Sequence, residues 1–114
     1  MRGKWTSFDP ETTNAELLTI RQPDRGALYY AMERYGLGQP IGWTAKDYGD
    51  DLFMLKAKGE RQGRCLFFTY DKDEPASLVA LMFYKKEGAD APDSVVKAAR
   101  ERRGQYIERR KKEG

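Results

Sequence analysis

The chain has 114 residues and reads as a single domain over 1–114, long enough to bury one core. It has no histidine and one cysteine, which excludes the usual zinc sites, Ser-His and Cys-His dyads, and an intramolecular disulfide. The net charge of +3 is unevenly spread: cations predominate over 52–58, over 61–64 and near the C-terminus, and acids concentrate before residue 52 and at Asp71, Asp73 and Glu74. That distribution fits either a nucleic-acid partner or a solvated charged surface.

There is no run of about 18 apolar residues, and no apolar stretch follows the charges of Met1-Arg-Gly-Lys-Trp5. The sequence therefore predicts neither a membrane span nor a signal peptide, and the lone Cys65 fits a reducing cytoplasm. Cys65 itself is assigned to packing. Acid–base chemistry is left to Asp, Glu, Lys, Tyr or Arg.

In chain order, a short strand is possible around Lys4 to Phe8. Asp9-Pro10-Glu11 then predicts a helix start, with Asp as N-cap and Pro at the first helical position. This helix is expected to reach about Ile20, burying Leu17 and Leu18, and Gln22-Pro23 ends it. Asp24 is expected to cap a second helix whose Leu28, Ala31, Met32 and Tyr35 share one face, with Gly36 as its left-handed terminus. The pair would form an N-terminal helical hairpin.

A turn-rich connection over Gly38 to Asp50 contains Pro40, Gly42 and Gly49, with Trp43 and Tyr48 as anchors. Strands are predicted at Leu52 to Lys58, Arg64 to Tyr70 and Ser77 to Tyr84. Their short connections imply an antiparallel sheet of three to four strands. A final helix runs from near Pro92 to about Arg110, with Val95, Ala99, Arg102 or Arg103, and Tyr106 on one face. Arg109 to Gly114 is expected to fray. The predicted class is α+β.

Alternation along the strands puts Phe53, Leu55 and Ala57 on one face and Lys56 and Lys58 on the other. Likewise Arg64, Leu66, Phe68 and Tyr70 oppose Cys65, Phe67 and Thr69. Arg61 lies in the connecting turn, and Lys85 and Lys86 end the third strand. Tight pairing would gather these six cations on one side of the sheet. A cluster of this kind suits phosphate chemistry. Arginine holds phosphate bidentately and stabilises transition-state charge. Neighbouring cations lower a lysine from its usual value near 10.4. A crowded lysine can then deprotonate a ribose 2′-hydroxyl, or a second cation can protonate the leaving 5′-oxygen. Tyr70, Tyr84 and Tyr106 can stack on bases. Such internal cleavage needs no metal or other cofactor. The alternative is that a Lys- and Arg-rich hairpin is simply an exposed edge that resists aggregation.

Three segments together resemble the RelE/HigB superfamily, and more narrowly its phage-derived, HigB-like branch. They are Asp51-Leu-Phe-Met-Leu-Lys56-Ala-Lys58, Gly63-Arg64-Cys-Leu-Phe-Phe-Thr-Tyr70, and Leu78 to Arg103 with Phe83-Tyr84-Lys85-Lys86, Pro92, Ala99 and Arg102. The likeness covers roughly residues 50 to 106. Met54 stands where the branch usually has Glu, Lys56 where it often has Arg, and Ala91 where a threonine often caps the last helix; the histidines of some members are missing.

The resemblance implies a RelE-like fold and a cytoplasmic toxin of a type II toxin–antitoxin system. Its activity would be that of an mRNA interferase, a metal-independent endoribonuclease hydrolase that inhibits translation and often acts on the ribosome. Attack by the 2′-hydroxyl would leave a 2′,3′-cyclic phosphate and a 5′-hydroxyl. By motif position, Arg64 would stabilise the transition state, and Lys56, Lys58, Lys85 and Lys86 would supply acid–base or phosphate contacts. Tyr106 would help to orient the 2′-hydroxyl. Arg61, Tyr70, Tyr84, Arg102 and Arg103 are the candidate RNA-binding residues. The implied partners are mRNA, the ribosome and a small helix-turn-helix antitoxin. Two other readings stand beside this one: a catalytically inactive member that only binds, and a ParE-like toxin acting on DNA gyrase through protein contacts.

Overall fold

A computed structural model describes residues 1–39, 45–57, 59 and 61–113. The described residues form an α+β fold, with a mixed five-stranded sheet and three helices. In chain order the elements are β1 (Lys4–Ser7), α1 (Pro10–Leu17), α2 (Gln22–Gly36), β2 (Ala45–Asp47), β3 (Phe53–Lys56), β4 (Gly63–Tyr70), β5 (Ser77–Lys85) and α3 (Asp93–Glu113). The sheet order is β1-β5-β4-β3-β2. The three expected strands form an antiparallel meander, as their short connections required. The N-terminal strand also forms, but it pairs with β5 in parallel, so the sheet is mixed rather than antiparallel. Strand β2 was not anticipated: its three residues are too few to show an alternation. Of the anticipated connection, Pro40, Gly42 and Trp43 lie outside the described residues.

Each face of the sheet carries its own core. On one, Leu17, Ile20, Leu28 and Met32 from the α1–α2 segment cover Leu55, Cys65, Phe67, Leu78, Ala80 and Phe83. On the other, Ala99 and Tyr106 of α3 cover Met54, Leu66, Phe68, Val79 and Leu81. The period-two alternation of β3 and β4 is what separates the two sets. Cys65 is fully buried, and burial pushes its thiol well above the ordinary range. The N-terminal helices rest on the sheet, α1 against β5 and α2 against β4 and β3, rather than depending on each other as a hairpin.

Several local expectations are corrected. Helix α1 ends at Leu17, and Leu18 is 76% exposed rather than buried. The N-cap of α2 is Arg21; Asp24 sits inside the first turn, with its side chain buried. Gly36 is the last helical residue, and the left-handed position falls to Gly38, with φ of +78°. Gly36 is needed for close approach: its carbonyl accepts the Arg2 and Gly3 amides, and a Cβ there would lie 3.2 Å from the Gly3 carbonyl oxygen. The C-terminal stretch does not fray at Arg109, because α3 continues to Glu113.

Helix α3 is fastened by arginines. Arg100 donates to the Tyr48 carbonyl, Arg102 to Glu16 and the Leu81 carbonyl, and Arg109 to the Phe8 carbonyl. Arg110 grips Asp73 with two nitrogens and donates to the Tyr106 hydroxyl. Hydrogen bonds from Arg110 and Ser77 hold the Asp73 carboxyl down to about 2. The unfolded carboxyl titrates near 3.9, so this contribution to stability is complete above about pH 4 and is lost as pH falls towards 2. In urea titrations across that range, Asp73→Asn is expected to flatten the acid dependence of stability and to lower stability at pH 7.

The register slips between Leu66 and Phe67, leaving Leu81 as an extra residue in β5. Strand β1 reaches only to Ala80, so beyond that point, among the described residues, β5 has no strand on its outer side. Two side chains complete the missing ladder. Glu16 of α1 accepts the Phe83 amide at 3.1 Å, and Arg102 of α3 donates to the Leu81 carbonyl at 2.9 Å. The pair closes on itself at 2.8 Å and is only about one-fifth exposed. Glu16→Ala is expected to cost about 1.5–3 kcal/mol in urea unfolding, the scale of a lost charged hydrogen bond. The share of that cost due to the Arg102 pair should vanish when Arg102→Met is already present, and the share due to the Phe83 amide should remain.

Candidate nucleic-acid interface

Three strands bring the cationic residues of the meander to one end of the sheet. Lys56 at the end of β3 pairs across to Arg64 at the start of β4, and Arg64 pairs with Tyr84 near the end of β5. These three make a row on the face that α3 covers further along. Lys86 follows β5, and its amide donates to the Gln62 carbonyl, tying it to the β3–β4 turn. Lys85 pairs with Gly63 and, by alternation, belongs to the opposite face from Tyr84. The six cations are thus not all on one side. Arg61, Lys85 and Lys86 are exposed and Lys56 is half-buried. Lys58 lies outside the described residues.

Arg64 is only 3% exposed. Its Nη1 donates to the carbonyls of Arg61 and Gly63 at 2.8 and 2.9 Å. The guanidinium therefore braces the turn that carries Arg61. Burial is the main force lowering its pKa, offset by Tyr84 and Asp24. Lys56 is also lowered, first by desolvation and then by the charges of Arg64 and Lys86. Tyr84 moves the other way: burial and nearby Tyr48 push it up to about 12, against the pull of Arg64. The row thus combines a lysine that releases its proton more readily than usual with a tyrosine that keeps its own.

The remaining candidates lie elsewhere. Tyr70 is six residues from Arg64 along β4, roughly 20 Å at about 3.3 Å per residue. Tyr106 is buried there, edge-on to Phe68 and Tyr70 at 5.8 and 5.7 Å. Arg102 is held by Glu16 and Leu81. Arg103 and Tyr70 line an open cavity of about 400 Å³ together with Lys72 and three acids, Asp50, Asp51 and Asp71, so cations do not predominate there. The structure therefore brings together Lys56, Arg61, Arg64, Tyr84 and Lys86 but leaves Tyr70, Tyr106, Arg102 and Arg103 apart from them.

Two residues beside the row were not anticipated in any site role. Asp24, read as a helix cap, is buried beneath the β3–β4 turn, and Arg21 and Arg61 converge on its carboxylate. The sequence carried a faint signal in Arg21, three residues before Asp24, but none for the meeting with Arg61. Among the described residues, no helix is long and apolar enough to cross a membrane. No family model matches the sequence, and no curated protein does.

Proposed function

We propose that this chain is a RelE/HigB-like toxin acting as a metal-independent mRNA endoribonuclease. The observation that carries the reading is the Lys56–Arg64–Tyr84 row, flanked by Arg61 and Lys86 at one end of the sheet. Lys56, its proton loosened by desolvation and two neighbouring cations, takes the proton of the ribose 2′-hydroxyl. The 2′-oxygen attacks the adjacent phosphorus, and the P–O5′ bond breaks. Tyr84, protonated at neutral pH, gives its proton to the leaving 5′-oxygen. Lys86 balances charge on the phosphorane. Arg64 supports the site from beneath by holding the turn to which Lys86 is tied. The products are a 2′,3′-cyclic phosphate and a 5′-hydroxyl. A small antitoxin covering this cationic end, mRNA on the ribosome, and the cytoplasm are the partners and setting of the same proposal.

The test is to map new 5′-hydroxyl ends on mRNA in a translating extract. Wild type should create them and Lys56→Gln should not. Their phase within the reading frame reports on the ribosome. A second reading, a member that binds without cutting, is favoured by the burial of Arg64, which keeps the guanidinium from open contact with a phosphate. Ends absent with folded wild type, alongside retained RNA binding, would select that second reading.

A further inference from the structure

The Arg21–Asp24–Arg61 cluster stands next to the proposed site but is not part of the reaction as drawn. Asp24 is 2% exposed, an expensive position for a carboxylate unless cations meet it. Its two oxygens face two arginines: Oδ2 lies 3.4 Å from Arg21 Nε and Oδ1 lies 3.9 Å from an Arg61 nitrogen. Both arginine side chains remain open to solvent, at 70% and 48% exposure. One guanidinium comes from the entry to α2 and the other from the β3–β4 turn.

The scaffold under them is fixed. Gly63 packs onto the first turn of α2, and a Cβ on it would lie 3.3 Å from the Asp24 carbonyl oxygen. Arg64 holds the Arg61 carbonyl from the other side. The buried carboxylate thus sets the spacing of two exposed forks, each still able to offer nitrogens outward. Paired guanidiniums match the oxygens of a phosphodiester.

We infer that Arg21 and Arg61, set side by side by Asp24 as a positioning residue, grip a backbone phosphate of single-stranded RNA next to the one that reacts. This rests on the interferase reading for its ligand and adds a second point of hold to the site. The grip lies on the α2 side of the turn, so the strand is held on both sides of the Arg61–Gly63 crest.

The probe is an uncleavable 2′-O-methyl RNA 12-mer, with affinity measured as a function of salt. Each phosphate contact on a single strand contributes about 0.7 to the slope of log affinity against log salt. Arg21→Gln and Arg61→Gln are each expected to lower the slope, and the double variant, which releases the one shared phosphate, to lower it by about 0.7. Asp24→Asn gives a test of sign. It raises the net charge from +3 to +4, so charge alone predicts tighter binding, whereas loss of positioning predicts weaker binding. Weaker binding with a reduced slope supports the inference; equal or tighter binding by folded Asp24→Asn overturns the positioning role. Should Asp24→Asn not fold, the exposed Arg21→Gln decides: an unchanged slope overturns the grip. If wild type binds and cuts RNA while both arginine variants match it, the grip is overturned and the interferase reading stands. If wild type does not bind the 12-mer, the grip is overturned, and the mapping of 5′-hydroxyl ends decides the interferase reading separately.

Discussion

Lys56→Gln is expected to lower RNA cleavage by roughly two to four orders of magnitude, the range that a positioned acid–base group supplies. Folding should be little affected, because Lys56 ends β3 and does not belong to either core. The pH profile then separates two roles for the same lysine. As a general base it must be neutral, so the rate climbs with pH and levels off above its pKa. As a phosphate contact it must be charged, so the rate falls as pH rises through that same value. Desolvation and the charges of Arg64 and Lys86 place this value below the usual lysine range, which brings the inflection towards accessible pH. In wild type, single-turnover rates on a model RNA are expected to rise with pH up to that inflection. In Lys56→Gln the limb should disappear. A falling limb would reassign Lys56 to binding and leave the base to another group. Arg64→Ala should also reduce cleavage, but it should reduce stability with it, since the guanidinium braces the turn.

The largest loss of stability is expected at Phe67. Its ring is fully buried and makes edge contacts with Trp5 and Tyr35 at 5.0 and 5.2 Å, with Phe53 5.8 Å away. These partners come from β1, α2 and β3, so one side chain ties three elements to β4. Phe67→Ala removes the ring's burial and leaves a cavity among aromatic neighbours that cannot readily collapse into it. The cost is expected to be about 3–5 kcal/mol in chemical denaturation. Phe67→Leu should recover most of this. By contrast, Tyr30→Ala should have little effect on stability, because that side chain is exposed.

The meander was legible in the sequence because alternation and short turns are local signals. Leu55, Cys65 and Phe67 fell on one face and Met54, Leu66 and Phe68 on the other, as their spacing requires. The cationic row followed from that alternation once register paired Lys56 with Arg64. What could not be read was set by long-range partners. Whether β1 runs parallel to β5 depends on where the N-terminal helices carry the chain. Tyr106 was assigned to the site by family position, yet α3 carries it to the Tyr70 end of the sheet, away from Arg64. The arginines of α3 read as a basic face for a partner, but the fold uses several of them internally, on Glu16, Asp73 and backbone carbonyls. Charge in a sequence does not say whether it will be spent inside or outside. Asp24 shows the same limit: a residue type typical of helix starts is here the buried meeting point of two separate segments.

The short reach of β1 leaves the last part of β5 as an unfinished border of the sheet. In most proteins such a border is an invitation: an extended segment of another molecule can add itself and begin a chain of associations. Here Glu16 and Arg102 occupy the two backbone positions that a newcomer would need first. Because one comes from a helix on each side of the sheet, loosening either helix would uncover the border. Partial unfolding and self-association would then be one event, so the lock protects solubility for as long as both helices stay docked.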